Sequence, residues 1–311
     1  VIILCYHRVV PEGGLISPQC ISSELFENQI RFFASKFDFI TLDNIAPYLA
    51  GESEYKGDVM AFTFDDGYAD NYTHAAPILD RYAAKGTFFI ASEPVLDKKS
   101  YWIDELSVLL DALYGSTADI DLPAEKALAL QISQFMIAPK ELKKRLAKDI
   151  FLSVSAVSEV QKHLLLKVLR EACKVVASIP HKTPALMSAP QVKELINNGH
   201  TIGAHTHTHP RLSNLELNEV ENEIVTGVAR LREEFGEINH FAYPFGKMAD
   251  IPADKTALFN ILQHCGFQLT VTTEDDVVKN NDHRFLVPRK VMSAQSVAQI
   301  RLKLELMAWK K

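Results

Sequence analysis

Val59-Met60-Ala61-Phe62-Thr63-Phe64-Asp65-Asp66-Gly67 runs an uncharged, mostly apolar stretch directly into two adjacent carboxylates and a glycine. An apolar run of this length with no alternation reads as a strand buried on both faces, the kind found in parallel sheets. Two like charges at the end of a buried strand are costly unless a cation or a proton separates their states. In parallel α/β barrels the carboxyl ends of the strands face the active site, so a metal ligand beside a base would resolve the cost. The alternative at this point is a capped turn, with Asp66-Gly67 as turn residues and Asp65 as a helix cap.

Working outward, Val1 to Tyr6, Gly86 to Ile90, Thr201 to Ala204, His240 to Tyr243 and Gln268 to Thr272 are further strand-length apolar runs. Helical patterns separate them: Ser23 to Lys36, Ala75 to Lys85, Pro190 to Asn198, Leu215 to Phe235, Lys255 to Cys265 and Ser296 to Trp309. In the fourth of these, Leu217, Val220, Ile224, Leu231 and Phe235 recur at helical steps, Ser213 with Glu216 spells a capping box, and Gly236 is the stop. Alternation of this kind means βα units, so the fold class is α/β with a mostly parallel sheet or barrel. The length of 311 residues allows one barrel domain over 1–311. Residues 97–180 break the alternation, with Gly115 as their one glycine and Leu106, Leu109, Leu110 and Leu113 on one helix face, and read as a helical insertion. Lys140, Lys143, Lys144, Arg145 and Lys148 within it read as a solvated helix face, with attraction of an anionic glycan as the other reading.

Composition narrows the class. With 47% hydrophobic and 23% charged residues the chain is of ordinary globular type, and 33 basic against 39 acidic residues give −6, so nothing in the net charge points to a nucleic-acid or anionic-membrane protein. Cys5, Cys20, Cys173 and Cys265 lie far apart with no CxxC, so free thiols are expected. No run reaches the roughly 18 apolar residues of a spanning helix, and Val1 to Tyr6 is too short for a signal-peptide core. A cytoplasmic protein is therefore expected, or an envelope or periplasmic one if a leader was trimmed, since the first residue is not Met. Nothing in the sequence bears on oligomeric state.

His205-Thr206-His207-Thr208-His209-Pro210 puts three of the 11 histidines just after the Thr201 to Ala204 strand. If the chain stays extended, all three share one face and form a three-histidine site. If it turns before Pro210, only a subset converges, and a solvent-exposed His-Thr loop is the metal-free reading. Two histidines with one carboxylate from another strand make an arrangement that leaves positions open on zinc or a similar divalent ion.

Taken together these residues resemble the polysaccharide deacetylases of the NodB-homology type, carbohydrate esterase family 4. Thr63-Phe64-Asp65-Asp66-Gly67 is similar to the family's first motif, which implies Asp65 as catalytic base and Asp66 as metal ligand. His205-Thr206-His207-Thr208-His209 is similar to the H-[ST]-x-x-H motif, which implies His205 and His209 on the metal and leaves His207 unassigned. Phe241-Ala242-Tyr243-Pro244-Phe245-Gly246 resembles the third, pocket-lining motif. The resemblance implies a distorted (β/α)7-type barrel, a divalent ion, most simply zinc, and an N-acetylated glycan as substrate. It also implies the chemistry: the ion activates water, Asp65 takes its proton, and the Phe245 N–H meets the charge on the carbonyl oxygen. Two departures stand out. Ala242 occupies the position of an arginine that orients the base, and the late L-x-H motif is missing; Arg289, in Val287-Pro288-Arg289-Lys290, is the candidate replacement and His7, after the first strand, the candidate acid. Tyr68, Tyr243 and Trp102 are candidate sugar-packing rings beside Pro244 and Phe245. Two other classes remain: a metal-dependent hydrolase acting on a small amide, suggested by the insertion, and a non-catalytic glycan-binding relative, suggested by Ala242.

Overall fold

A computed structural model describes residues 1–11, 20–117, 119–122, 125–176, 183–292 and 296–300. The chain divides into two compact units: one formed by Val1–Lys98 and Leu186–Lys311, the other by Lys99–Ala185.

The first unit is built on seven parallel strands: β1 (Ile2–Tyr6), β2 (Val59–Phe64), β3 (Gly86–Ile90), β4 (Thr201–Ala204), β5 (His240–Ala242), β6 (Leu269–Val271) and β7 (Lys290–Val291). Each pairs with the next in sequence from β1 to β6, and β7 returns to pair with β1. The registers set Tyr6 beside Phe64, Phe64 beside Phe88, Ile90 beside Ala204, Ala204 beside Phe241 and Ala242 beside Val271. Val287, just before β7, bridges Val271 of β6, with Thr272 N donating to Val287 O at 2.8 Å. The segment 287–291 thus touches β6 at one end and β1 at the other, which closes the ring as a distorted (β/α)7 barrel. The distortion is visible at β2, where the short strand Asp38–Phe39 pairs with its first residues ahead of the point at which β3 begins.

The strands form where the sequence is apolar because every residue of β2 and β3 is buried, and helices cover the outside. The helix Ser23–Ala34 buries Phe26, Ile30 and Phe33 at steps of four and three, and Ser22 caps it by accepting from Leu25 N at 3.2 Å. The helix Leu217–Phe235 buries Val220, Ile224, Val228 and Leu231. Its start corrects the sequence reading: Ser213 lies in a 3-10 turn, Leu212–Asn214, and the reciprocal cap is Glu216 with Glu219. Leu212 is buried, so the apolar anchor extends the turn by one step and moves the cap to Glu216. Of the last expected helix, Ser296 to Trp309, residues 301–309 lie outside the described residues.

The Lys99–Ala185 unit has its own core. The helices Trp102–Leu113, Lys126–Met136, Lys140–Ala156 and Glu159–Val176 bury Leu106, Leu110, Ile132, Phe135, Val154 and Leu169 together. Lys143 of its basic run pairs with Asp111 at 2.8 Å, while Lys140, Arg145 and Lys148 are exposed, as a solvated helix face would be.

One buried group at the opposite, amino end of the strands makes barrel stability pH-dependent. His200, just before β4, accepts the Gly86 N–H on Nδ1 at 3.1 Å, and its Nε2 lies 3.3 Å from Asp80 Oδ1. Burial pushes this imidazole down to about 4; the Asp80 carboxylate offsets part of that, and Lys85 adds to it. Between that value and the unfolded one of about 6.5 the unfolded chain binds more protons, so His200 costs stability as pH falls through this window and contributes nothing above it. The loss relative to pH 7 is expected to be about 2 kcal/mol at pH 5. Urea unfolding of His200→Asn, which keeps an acceptor near Nδ1 but does not titrate, should lack that component; an equal acid loss in both proteins would refute it.

Candidate active site

The carboxyl ends of β1, β2 and β4 deliver the chemistry-bearing residues to one mouth. Asp65 N donates to Tyr6 O at 3.0 Å, which extends the β1–β2 ladder by one residue and fixes Asp65 at the strand end. Asp66 then turns the chain with φ +75° and Gly67 follows at φ +70°. Aspartate is among the few residues that tolerate this region. Gly67 has no substitute, because a Cβ there would lie 2.8 Å from Cγ2 of Ile90.

Asp65 and Arg289 form a two-point pair inside the barrel. Nη1 donates to Oδ1 and Nη2 to Oδ2, both at 2.7 Å, and the two residues are 0% and 2% exposed for Arg289 and Asp65 respectively. Arg289 is itself held: Nη1 donates to Thr63 Oγ1 at 3.0 Å and Nε to Thr272 O at 2.9 Å. The Cys5 thiol completes the ring of donors, 3.4 Å from Asp65 Oδ2. Burial raises the pKa of Asp65, but the charge and hydrogen bonds of the Arg289 guanidinium outweigh it and hold the carboxyl below its usual value. Arg289 comes from the segment that closes the barrel, on the far side of β1 from β2, and reaches the Asp65 carboxylate that the methyl group of Ala242 cannot bind.

The histidine segment turns rather than staying extended. Thr206 and His209 adopt φ +67° and φ +64°, and the Thr206 hydroxyl accepts from His209 N at 3.0 Å. The turn separates the three rings. His205 and His209 face Asp66, with their Nε2 atoms 3.5 and 3.3 Å from Asp66 Oδ1, whereas Nδ1 of His207 lies 2.7 Å from Ser92 Oγ. Nδ1 of His205 lies 2.7 Å from the Ala242 carbonyl, which can only accept; this fixes the proton on Nδ1 and leaves the Nε2 lone pair toward Asp66.

The donor set fits a divalent ion. Ligand atoms of Asp66, His205 and His209 lie within 4.8 Å of one another. Two ligands of one tetrahedral zinc, with arms of about 2.0–2.1 Å, stand about 3.3 Å apart, close to the Asp66–imidazole separations. Protonation states agree. Burial lowers the pKa of His209, only partly offset by Asp66, which favours the neutral ring a metal needs. Asp66 is the anionic member of the set: against burial, the facing His205 and His209 rings hold its carboxyl well below the usual range.

His7, at the end of β1, lies in a second cluster with Cys5 and Asp65, and its Nδ1 is buried without a hydrogen-bond partner among the described residues. Pro244 is buried and Phe245 half-buried, its ring 5.5 Å from that of His209 and 4.6 Å from the Arg211 guanidinium carbon. Two expected sugar-packing rings are corrected. Tyr68 is 1% exposed beneath the Arg8 guanidinium, and Tyr243 is 1% exposed with its hydroxyl donating to Phe285 O at 2.9 Å. Tyr243 packs in the main apolar core, and the Tyr68 ring is closed off by Arg8. Trp102 belongs to the Lys99–Ala185 unit, where Lys162 lies 5.0 Å from its ring centroid. Sequence reasoning missed Cys5, Thr63, Ser92 and Glu223. The first two lie two residues before named site residues on their strands, a period-2 signal that was available; Ser92 and Glu223 carried no such signal.

Comparison with known proteins bears on the family and the fold. A polysaccharide deacetylase family model matches residues 52–114 and 153–269, more than half of the chain. The Bacillus subtilis (strain 168) protein YxkH, assigned by name to the polysaccharide deacetylases, is 28% identical over 94 residues, which cover 30% of this chain and about a third, 32%, of that relative. Among solved structures, the Streptococcus pyogenes deacetylase PplD in complex with acetate aligns at TM-score 0.61 and 16% identity, over 97% of this chain and 96% of that one. IcaB from Ammonifex degensii aligns at TM-score 0.61 and 21% identity, over 97% and 95%. At these identities the likeness of the two structures is one of fold. With the matched family model spanning both the Asp65-Asp66 turn and the histidine turn, the chain belongs to the polysaccharide deacetylase family.

Proposed function

We propose that this chain hydrolyses N-acetyl groups on an amino-sugar glycan, releasing acetate and a free amine, with a divalent ion, zinc by its donor set, held by Asp66, His205 and His209. The observation that carries this reading is the adjacency of two differently tuned carboxylates: Asp65 clamped by Arg289, and Asp66 turned toward two imidazoles.

When bound, the ion supplies a Lewis acid that acidifies water and polarises an acyl oxygen. The chain's own groups do the rest. Asp65 accepts the proton of the attacking water; Arg289 uses one lone pair on each of its oxygens and leaves another, while keeping the carboxylate ionised and oriented. The oxygen of water joins the acyl carbon, the C–N bond breaks, and His7 delivers the proton that the departing amine needs. The Phe245 N–H is the backbone donor for charge on the acyl oxygen, since Pro244 has none to give. The non-catalytic alternative drew on Ala242, and Arg289 occupying the base removes that motive.

Acetate release measured over a panel of N-acetylated glycans, after loading with different divalent ions, tests the reading. Release from a glycan is the expected result; release from small amides alone would move the activity to another substrate class, and no release from either would refute it. Metal content is expected near one ion per chain, lost in His205→Ala and His209→Ala and kept in His207→Ala, whose ring is on Ser92. Full metal content in His209→Ala would discard the assignment.

A further inference from the structure

We infer that Glu223, on the helix behind the histidine turn, is a positioning residue that sets the metal-binding geometry of His205 and His209 from outside the ligand set. The inference rests on the metal assignment proposed above. Glu223 Oε2 accepts from His207 N at 3.0 Å and Thr208 N at 2.8 Å, and Oε1 accepts from the Thr208 hydroxyl at 2.8 Å. All three donors belong to His207 and Thr208, two of the three residues between the proposed ligands, and the carboxylate comes from a helix that starts eight residues beyond His209. One side chain therefore templates the part of the turn that the strand cannot reach. The second feature is Gly227, one helical turn further on. A Cβ there would lie 2.7 Å from the Thr206 carbonyl carbon, 2.8 Å from its oxygen and 2.9 Å from His207 N. These are backbone atoms that cannot swing aside, so the glycine is what lets the helix approach close enough for Glu223 to reach. On the opposite side the turn is held by Ser92 N donating to Thr206 O at 3.2 Å and Glu93 N to His207 O at 2.9 Å. The turn is thus clamped from two elements, and in the left-handed conformation of Thr206 and His209 it has little intrinsic preference for its observed shape.

The physical consequence is that the cost of ordering the turn is met before an ion arrives. Outer residues that orient ligands in this way are typically worth about 10–100-fold in metal affinity. Zinc affinity by chelator competition, melting of the metal-free protein and amide exchange at positions 207 and 208 form the test. Glu223→Ala is expected to weaken zinc binding about 10–100-fold and speed exchange at both amides, with metal-free melting close to the parent's. Glu223→Gln should recover most of the affinity, because its carbonyl oxygen still accepts both amides and its NH2 can donate to the Thr208 hydroxyl. Gly227→Ala should weaken zinc binding with Glu223 intact, and serves if Glu223→Ala does not fold. Unchanged zinc affinity in Glu223→Ala and Gly227→Ala, or a melting loss with no change in affinity, would overturn the inference. A parent that binds no zinc would instead remove the metal assignment itself.

Discussion

Arg289→Ala is expected to cut turnover by at least about tenfold and to cost about 3–5 kcal/mol of stability, while the metal stays bound. The stability figure follows from burial: the substitution leaves the Asp65 carboxylate 2% exposed with neither oxygen paired to a cation, which is the costly way to break a buried ion pair. The turnover figure is the loss of a positioning hydrogen bond to a charged group, about 1.5–3 kcal/mol in the barrier. Without the guanidinium, burial acts on Asp65 unopposed by its main partner, and a larger share of the base is protonated at neutral pH. Arg289→Lys should rescue part of the activity, as a point charge cannot span both oxygens. Steady-state kinetics, urea unfolding and metal analysis of both variants decide the matter, and parental activity in Arg289→Ala would remove Arg289 from the mechanism.

The second large effect is expected from Asp65→Asn: turnover falls about 10²–10⁴-fold with metal retained, because an amide does not accept the water proton. The amide also turns an NH2 toward a buried guanidinium, so stability falls as well. Its pH dependence has a definite sign. Asp65 has a depressed pKa in the folded protein, so its contribution to stability is present above the unfolded value near 3.9 and is lost as pH falls through the folded value. Parent and variant should therefore differ most at neutral pH and converge in acid. The double variant Asp65→Asn with Arg289→Ala should cost less than the two singles together, since each single strands the partner the other removes. Strict additivity would mean that the two side chains are not coupled in stability, and parental turnover in Asp65→Asn would place the base elsewhere.

The barrel was legible because its strands are uncharged runs buried on both faces, as in Val59–Phe64, separated by helices with a single buried stripe. Those patterns are local, and burial alone enforces them. The joint spacing of Asp65-Asp66-Gly67 and His205 to His209 carried the family, since a metal ligand set needs those residue types at strand ends. Cap placement at Glu216 was less legible, because whether Ser213 or Glu216 caps the helix depends on where Leu212 finds a buried place.

The sequence by itself determined six of the seven strand segments along the chain, the positions of the two aspartates and the candidate metal ligands, because each is carried by residues within a few positions of one another. Which histidine turns away, which rings face the core and which side chain holds Asp65 were decided by the tertiary structure. Thr206 and His209 take left-handed conformations against a helix that meets the turn at Gly227, Tyr243 packs into the core, and Tyr68 is covered by Arg8. The clearest case is Arg289, 224 residues from its partner Asp65. The family resemblance offered it as the candidate replacement for the arginine missing at Ala242; the parallel return of 287–291 between β6 and β1 is what brings its guanidinium inside the ring. Pairing across such a separation depends on barrel closure, which is a property of all the strands at once and of no local pattern.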